Sequence, residues 1–313
     1  MRLSPVPSEV AHAGLRALKT VCAISRGIDP LEAQFIDGLQ RHLLGTSFDI
    51  ASLEPITGEE LARAVPPGEF RERIIGGMVV AACIDGEASP AEIAVIEAFS
   101  KALDVDSPVL KTGRHLANQQ LLGARVDIAR RAMMGYKVRG VLREDGLPGL
   151  VRQMLPMLGV SNDDTAARYR ALESYAAGTL GRGYYDFVTS NQFSFPGEKY
   201  AGPEIIVIHD VLHVLGGYGT TAEEEVQVAA FQAACHHVDQ FHSLLFAIAQ
   251  FHLGVQMAPV SPPEKLKADP ELMMKAFARG AKVSRDVWAE LVPWDNFARP
   301  IDDIRNELNI EPR

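Results

Sequence analysis

The chain has 313 residues and a mass of 34.1 kDa, a length typical of about two domains. It is 47% hydrophobic and 23% charged, with a mean hydropathy of +0.01, which excludes collagen-like, low-complexity and largely disordered chains. The 31 Lys and Arg residues stand against 40 Asp and Glu, a net charge of −9. Such a chain has no overall attraction to a phosphate backbone, so we expect no nucleic-acid partner.

Two strong helix-start signals occur in the first half of the chain. The sequence SPAE beginning at Ser89 supplies a capping hydroxyl, a proline at the first helical position and a glutamate at the third. The sequence DPLE beginning at Asp29 repeats this arrangement at an offset of 60 residues. A short apolar segment ending in a glycine turn, at Gly27 or Gly86, precedes each signal. The pattern predicts a duplicated unit of helix, acidic turn and helix within a helical domain over residues 1–130.

The turn at Asp85, Gly86 and Glu87 has two interpretations. Clustered carboxylates beside a glycine can bind a divalent cation. Acidic residues at a helix start also stabilise the free N–H groups and the helix dipole without any metal, and this reading is favoured. The segment MVVAACIDG from Met78, with the Pro-x-Glu that follows, resembles the tellurite-resistance TerB-like helical domain over about residues 10–125. That resemblance implies a helical fold and an acidic cation site, with no reaction attached.

The second half, residues 131–313, also reads as helical. Glycine and proline clusters mark its loops, and few of its segments alternate with a period of two. We therefore expect an all-α protein of two helical domains, 1–130 and 131–313. The predicted helices of the second half cover residues 138–158 with a break at 145–149, 166–177, 204–256 with one glycine turn, and 272–291.

The chemistry is concentrated between residues 209 and 225. His209 and His213 lie at positions i and i+4, so their imidazoles share one helix face and can converge on one metal ion. The glycine turn at residues 216–219 ends this helix, and Thr220 or Thr221 can cap the next one. If the two helices are antiparallel, Glu225 returns to the level of His213. Asp210 is then either a further ligand or a group that orients a histidine.

A bare histidine pair also occurs on ordinary helices, as packed or solvated side chains. Here the apolar flanks indicate burial, and a buried aspartate between two histidines is costly without a cation. Four more histidines, His236, His237, His242 and His252, follow in the predicted helix. They either line a cavity wall or are packed in the core, and packing is the more common outcome.

The spacing HDxxH, eleven residues and Glu, at His209, Asp210, His213 and Glu225, resembles the metal-binding signature of the coenzyme Q (ubiquinone) biosynthesis protein four family. Glu224 stands where many members have Gly. Family-like segments occur in the same order around the motif. They are GTLGRGYYDF from Gly178, VLGGYG from Val214, VPW from Val292 and IRNELNI from Ile304.

This resemblance covers about residues 135–313 and implies a role in ubiquinone biosynthesis. It implies a divalent-metal-dependent action on a prenylated aromatic acid, proposed in the family to be oxidative decarboxylation at ring C1. The implied metal ligands are His209, Asp210, His213 and Glu225, with Asp210 also a candidate catalytic base. Zinc is the expected ion, with magnesium, manganese or iron as alternatives. The implied partners are a polyprenyl lipid or quinone precursor and other enzymes of the same biosynthesis.

A lipid tail needs an apolar surface, and the helix after the motif carries an apolar stripe. That stripe either walls a lipid tunnel or belongs to the core, and helical spacing favours the core. Its members are Phe241, Leu244, Leu245, Ile248 and Phe251. Two non-enzymatic alternatives stay open: a lipid-binding scaffold with a structural metal, and a stress-response protein whose first half senses a cation.

Three features predict the compartment. The three cysteines form no CxxC pair, the N-terminus lacks the pattern of a secretory signal, and no apolar run has the length of a membrane span. We expect a cytoplasmic protein, with membrane contact that is peripheral and at the inner face. A homo-oligomer is compatible with the sequence.

Overall fold

A computed structural model describes residues 5–24, 27–236, 238–258 and 261–313, and within these ranges every regular element is helical. This confirms the all-α class. The helices of the first part are α1 Ser8–Cys22, α2 Pro30–Leu39, α3 Gly58–Ala64, α4 Glu69–Ala81, α5 Pro90–Leu103, α6 Pro108–Ala117, α7 Leu121–Arg131, α8 Met133–Glu144 and α9 Gly146–Met154. Those of the second part are α10 Asp163–Arg170, α11 Leu180–Ser190, α12 Val207–Gly216, α13 Ala222–Cys235, α14 Gln240–Phe251, α15 Pro270–Ala281, α16 Val287–Glu290, α17 Pro293–Asn296 and α18 Ile301–Leu308.

Both predicted helix starts carry a complete capping box. The side chain of Asp29 caps α2 and that of Ser89 caps α5, and the glutamate at each third position, Glu32 or Glu92, accepts from the backbone N–H of its own cap. Both glutamates are buried. The pairs α1–α2 and α4–α5 therefore repeat one local design, as the offset of 60 residues predicts.

Apolar residues from both halves form one continuous buried cluster. Helix α15 packs against both α2 and α13, and α14 packs against α4 and α7. The ring of Phe241 in α14 lies so close to Gly76 in α4 that a Cβ on Gly76 would be 2.3 Å from it. The division into domains at residue 130 stays a prediction, and the two sides share this core.

The helix boundaries differ from the sequence prediction at several places. The helix predicted over 166–177 is α10, which ends at Arg170, and the helix predicted over 272–291 is divided into α15 and α16. The break predicted at 145–149 is present but shorter: α8 ends at Glu144, and Gly146 turns the chain at φ +66° and begins α9. Pro148 lies in the first turn of α9, where its missing N–H is not needed. The stretch predicted as nearly continuous helix over 204–256 breaks again after Cys235, and Asp239 there has φ +50°. No helix of the described residues is apolar over enough length to cross a bilayer.

Candidate metal centre

A tight helix–turn–helix carries the predicted ligands. Gly217 ends α12 in the left-handed conformation, φ +71°, and its N–H and that of Tyr218 donate to the carbonyl of His213 at 2.8 and 3.0 Å. The Thr221 hydroxyl then accepts from the backbone N–H of Glu224 and starts α13. Helices α12 and α13 pack against each other, so residues near the turn face one another.

His209, His213 and Glu225 converge in this hairpin. The two Nε2 atoms are 3.1 Å apart, and each lies 3.5 Å from a different oxygen of the Glu225 carboxylate. The three ligand atoms lie within 4.8 Å of one another. Ligands about 2.05 Å from a tetrahedral zinc ion are about 3.3 Å apart, so the separations of 3.1 and 3.5 Å are close to those that such an ion requires.

Hydrogen bonds on the far side of each ring fix which nitrogen faces the centre. Nδ1 of His213 donates to the Gly219 carbonyl at 2.9 Å, and a carbonyl can only accept. Nδ1 of His209 lies 3.0 Å from Oε1 of Gln232, whose Nε2 donates to the backbone carbonyl of His209. That second bond orients the amide so that its oxygen faces the ring. In both neutral histidines the Nε2 lone pair therefore points at the other ring, an arrangement that requires a proton or a cation between them.

The charges at the centre agree with this requirement. Burial lowers the pKa of His209, but the hydrogen bond and the charge of Glu225 outweigh burial and raise that pKa to about 9. Burial raises the pKa of Glu225, and the hydrogen bonds from His209 and His213 outweigh it and hold that pKa well below its usual range. The histidine pair thus retains one proton at neutral pH, balanced by the ionised Glu225, and a divalent ion would compete with that proton for the site.

The centre is closed on one side and open on the other. The side chain of His213 is 1% exposed, whereas those of His209 and Glu225 are 30% and 20% exposed. Three protein ligands with an accessible face are typical of catalytic zinc sites, and four ligands in a closed shell are typical of structural ones.

Asp210 lies outside this group. Its carboxylate is not among the ligand atoms that converge. It is half-buried next in sequence to His209, and burial raises its pKa to about 6 against the opposing charges of the two histidines. Its charge also contributes to the raised pKa of the buried Tyr184, after burial itself. Its roles as ligand or base stay predictions.

The predicted lipid stripe divides between a cavity and the core. Phe241 and Leu244 line a cavity of about 360 Å³ between the halves, with walls from α1, α2, α4 and α15. Leu245 and Ile248 are fully buried in the core, and neither they nor Phe251 line that cavity. No residue of α12 or α13 lines this cavity, so it does not adjoin the metal centre.

The later histidines are packed rather than convergent. His236 Nδ1 lies 3.1 Å from the Asp286 carboxylate, His242 contacts Thr112, and His252 pairs with the Ile84 carbonyl at 2.7 Å. All three are buried, and none joins the metal group. His237 lies outside the described residues.

The acidic turn contributes no ion site of three ligands within the part of the chain described here. Asp85 instead accepts from the backbone N–H of Glu87 at 3.0 Å, and Glu92 completes the cap of α5. These bonds are those of the helix-start interpretation.

Sequence reasoning missed Gln232 and the Gly219 carbonyl, which orient the two histidines. Gln232 lies seven residues after Glu225 and so shares its helix face, a signal that was present in the spacing. The backbone acceptor at Gly219 has no sequence signature beyond the glycine turn itself.

A scan against protein-family models gives no match, and a search of curated proteins finds none that is similar. The resemblances described above therefore stay predictions, and the metal centre rests on its geometry.

Proposed function

We propose that the protein is a divalent-metal-dependent enzyme of ubiquinone biosynthesis that acts on a prenylated aromatic acid, by oxidative decarboxylation at ring C1. The observation that carries a catalytic role is the ligand set: three side chains on one hairpin, with the face at His209 and Glu225 open to solvent. The choice of substrate rests on the sequence resemblance over residues 135–313.

The proposed reaction replaces the ring carboxyl group by a hydroxyl group and releases it as carbon dioxide. Its balance requires dioxygen and a two-electron donor: one oxygen atom enters the ring hydroxyl and the other leaves as water. Any assay must supply both reactants.

His209, His213 and Glu225 would hold the ion, for which zinc is the expected choice and magnesium, manganese or iron are the alternatives. When bound, such an ion acts as a Lewis acid toward a ring carboxylate or phenolate. Gln232 and the Gly219 carbonyl keep both rings in the ligating tautomer. Asp210, with a pKa near 6, is the proposed base beside the centre.

The prenyl tail requires an apolar surface, and the cavity lined by Phe241 and Leu244 offers one. Its volume of about 360 Å³ is in the range of small-molecule sites, about 300–1,000 Å³. Because no residue of α12 or α13 lines it, only a long tail would reach it from a ring at the metal centre.

The competing function is a lipid-binding scaffold in which the metal holds α12 and α13 together. In its favour, the ligands come from both helices of the hairpin. Against it, a structural site would be expected to close with a fourth protein ligand, and no fourth side chain of the described residues joins the group.

Metal content and turnover test the proposal together. We expect about one equivalent of metal in the wild type, and its loss in His213→Ala and Glu225→Ala with the helical circular dichroism retained. The matched control is Glu223→Ala, two residues from Glu225 on the same helix but 48% exposed and paired with Lys267. Metal-dependent release of carbon dioxide from a prenylated hydroxybenzoate, lost in both site variants, would support the enzyme. Stoichiometric metal with no turnover, or metal and fold lost together, would favour the scaffold.

A further inference from the structure

Helix α9 presents its apolar face to solvent. Leu147 and Val151 lie four residues apart on this helix, Leu155 follows at the next fourth position, and their exposed fractions are 66%, 50% and 36%. These positions share one helix face. Of the nine residues of α9, only Gly149 is buried, and the main packing partners of the helix are its sequence neighbours α8 and the turn Pro156–Leu158. A helix of a water-soluble protein ordinarily turns such a stripe inward.

Further exposed apolar side chains lie on α7, on α8 and after α9, and these three helices pack consecutively. We call the exposed side chains of residues 121–160 the α7–α9 surface. It holds nine of the sixteen large hydrophobic side chains that are exposed among the described residues. Besides the α9 stripe these are Leu121, Leu122, Val126, Leu142, Leu158 and Val160. Clustered exposed apolar residues of this kind mark an interaction site.

The charge of this surface is opposite to that of the protein. Residues 121–160 contain seven Lys and Arg against three Asp and Glu, a net charge of +4 in a chain whose total is −9. Arg125, Arg143 and Arg152 are exposed and form no ion pair within the described ranges, whereas Arg130 and Arg131 contact Asp127 and Asp239. The surface therefore combines solvent-facing apolar residues with exposed arginines that form no ion pair within the described ranges.

A second copy of the chain is a poor occupant for this surface. In a two-fold symmetric dimer each surface meets its own copy, which would bring the two positive charges together. A lipid bilayer with anionic headgroups satisfies both features at once, because its interior accepts the apolar side chains and its surface attracts the arginines.

We propose that the α7–α9 surface binds the protein to membranes that contain anionic phospholipids, with the α9 stripe inserted at the level of the headgroups. The binding is peripheral, since no described helix could cross the bilayer. The inference is independent of the metal chemistry. It is linked to the proposed function only in that a prenylated substrate would reside in the same bilayer.

Sedimentation with lipid vesicles tests the proposal. The probes are vesicles of phosphatidylcholine alone and of phosphatidylcholine mixed with phosphatidylglycerol. Three unpaired arginines near an anionic surface predict binding to the mixed vesicles that is on the order of a hundredfold stronger, and weaker at high salt. We expect the double variant Leu147→Glu, Val151→Glu to lose at least tenfold in binding. Its matched control, Leu272→Glu with Val292→Glu, changes two residues of similar exposure elsewhere, 40% and 49%, and should bind like the wild type.

A second double variant, Arg143→Glu with Arg152→Glu, tests the contribution of the positive charges and should also bind more weakly. It changes exposed side chains only, so it keeps the test valid if the variant Leu147→Glu, Val151→Glu fails to fold. Equal binding to both kinds of vesicle, or full binding by either variant, would overturn the proposal. The proposal would also be overturned if the wild type did not bind vesicles and the α9 double variant had a different oligomeric state from the wild type, because the surface would then be a protein interface. His213→Ala should bind vesicles normally, so failure of the metal chemistry and failure of this inference are distinguishable.

Discussion

Metal binding at His209, His213 and Glu225 should release a proton. Without an ion, Glu225 raises the pKa of His209 to about 9, well above the ordinary value of 6.5, so the ring carries a proton through the neutral range. A metal ion needs the same Nε2 lone pair and must displace that proton. At about pH 7, two pH units below this pKa, competition from the proton weakens the apparent affinity for the metal ion about a hundredfold, or by about 2.7 kcal/mol. The affinity should thus rise about tenfold per pH unit between roughly pH 6 and 8, and level off above 9.

Calorimetric titration of zinc into the metal-free protein, in two buffers with different ionisation enthalpies, counts the protons released. We expect close to one near pH 7. In Glu225→Gln the charge that raises the pKa of His209 is gone, so the count should fall well below one even though binding is also weaker. Glu223→Gln, an exposed change in the same helical turn, should leave it at one. Zinc binding without proton release at neutral pH, or with an affinity independent of pH from 6 to 8, would refute the assigned charge and tautomers.

Three further outcomes are expected. Gln232→Leu removes the acceptor that orients His209 and should weaken metal binding about 10- to 100-fold while zinc still binds, as measured by competition with a chelator. Gly77→Ala should stabilise α4 by up to about 1 kcal/mol, because its Cβ would meet no atom within 4 Å. Gly76→Ala should destabilise the protein by about 1–3 kcal/mol, because its Cβ would strike the Phe241 ring. Urea unfolding that gives changes of the same sign in stability for both variants would contradict this packing. Burial raises the pKa of Glu92 to about 8 in the folded protein, whereas the unfolded chain releases this proton near pH 4.5. The free energy of unfolding should therefore fall as the pH rises from 4.5 through 8, by on the order of 5 kcal/mol at most. Glu92→Gln removes this loss, so it should raise the melting temperature at pH 9 and leave it nearly unchanged below pH 4.5.

Local signals in the sequence predicted the metal hairpin well. A histidine pair at i and i+4, a glycine turn and a threonine cap each act over a few residues, and together they determine which side chains meet across the turn. Asp210 marks the limit of that reasoning. It lies one residue after His209 and three residues before His213, so the spacing places it beside the pair but does not orient its carboxylate toward or away from the centre. The same geometry could have directed attention to Gln232.

The parts that sequence reasoning missed depend on contacts between distant segments. A periodic apolar stripe from Phe241 to Phe251 predicts burial but does not identify the helices that cover it. Only the packing of α4 and α15 shows that Phe241 lines the cavity whereas Ile248 belongs to the core. The helical pattern predicted over residues 138–158 likewise does not determine which face of α9 is outward. Its outward orientation follows from the single-residue connection at Asp145, which commits α9 to pack mainly on α8.

The metal centre and the α7–α9 surface are structurally adjacent. Helix α8 packs on the turn Glu204–Ile206, and that turn leads directly into α12 at Val207, two residues before His209. A substrate drawn from the bilayer at α8 would therefore reach the turn that precedes the ligand-bearing helix α12. Hydrogen exchange should report this arrangement: anionic vesicles should protect residues 121–160 and the 204–206 turn and leave α1 unchanged, and zinc should protect α12 and α13. If vesicles protected α1 and left residues 121–160 unchanged, the membrane would not contact the α7–α9 surface, and the proposed route to the metal would be refuted.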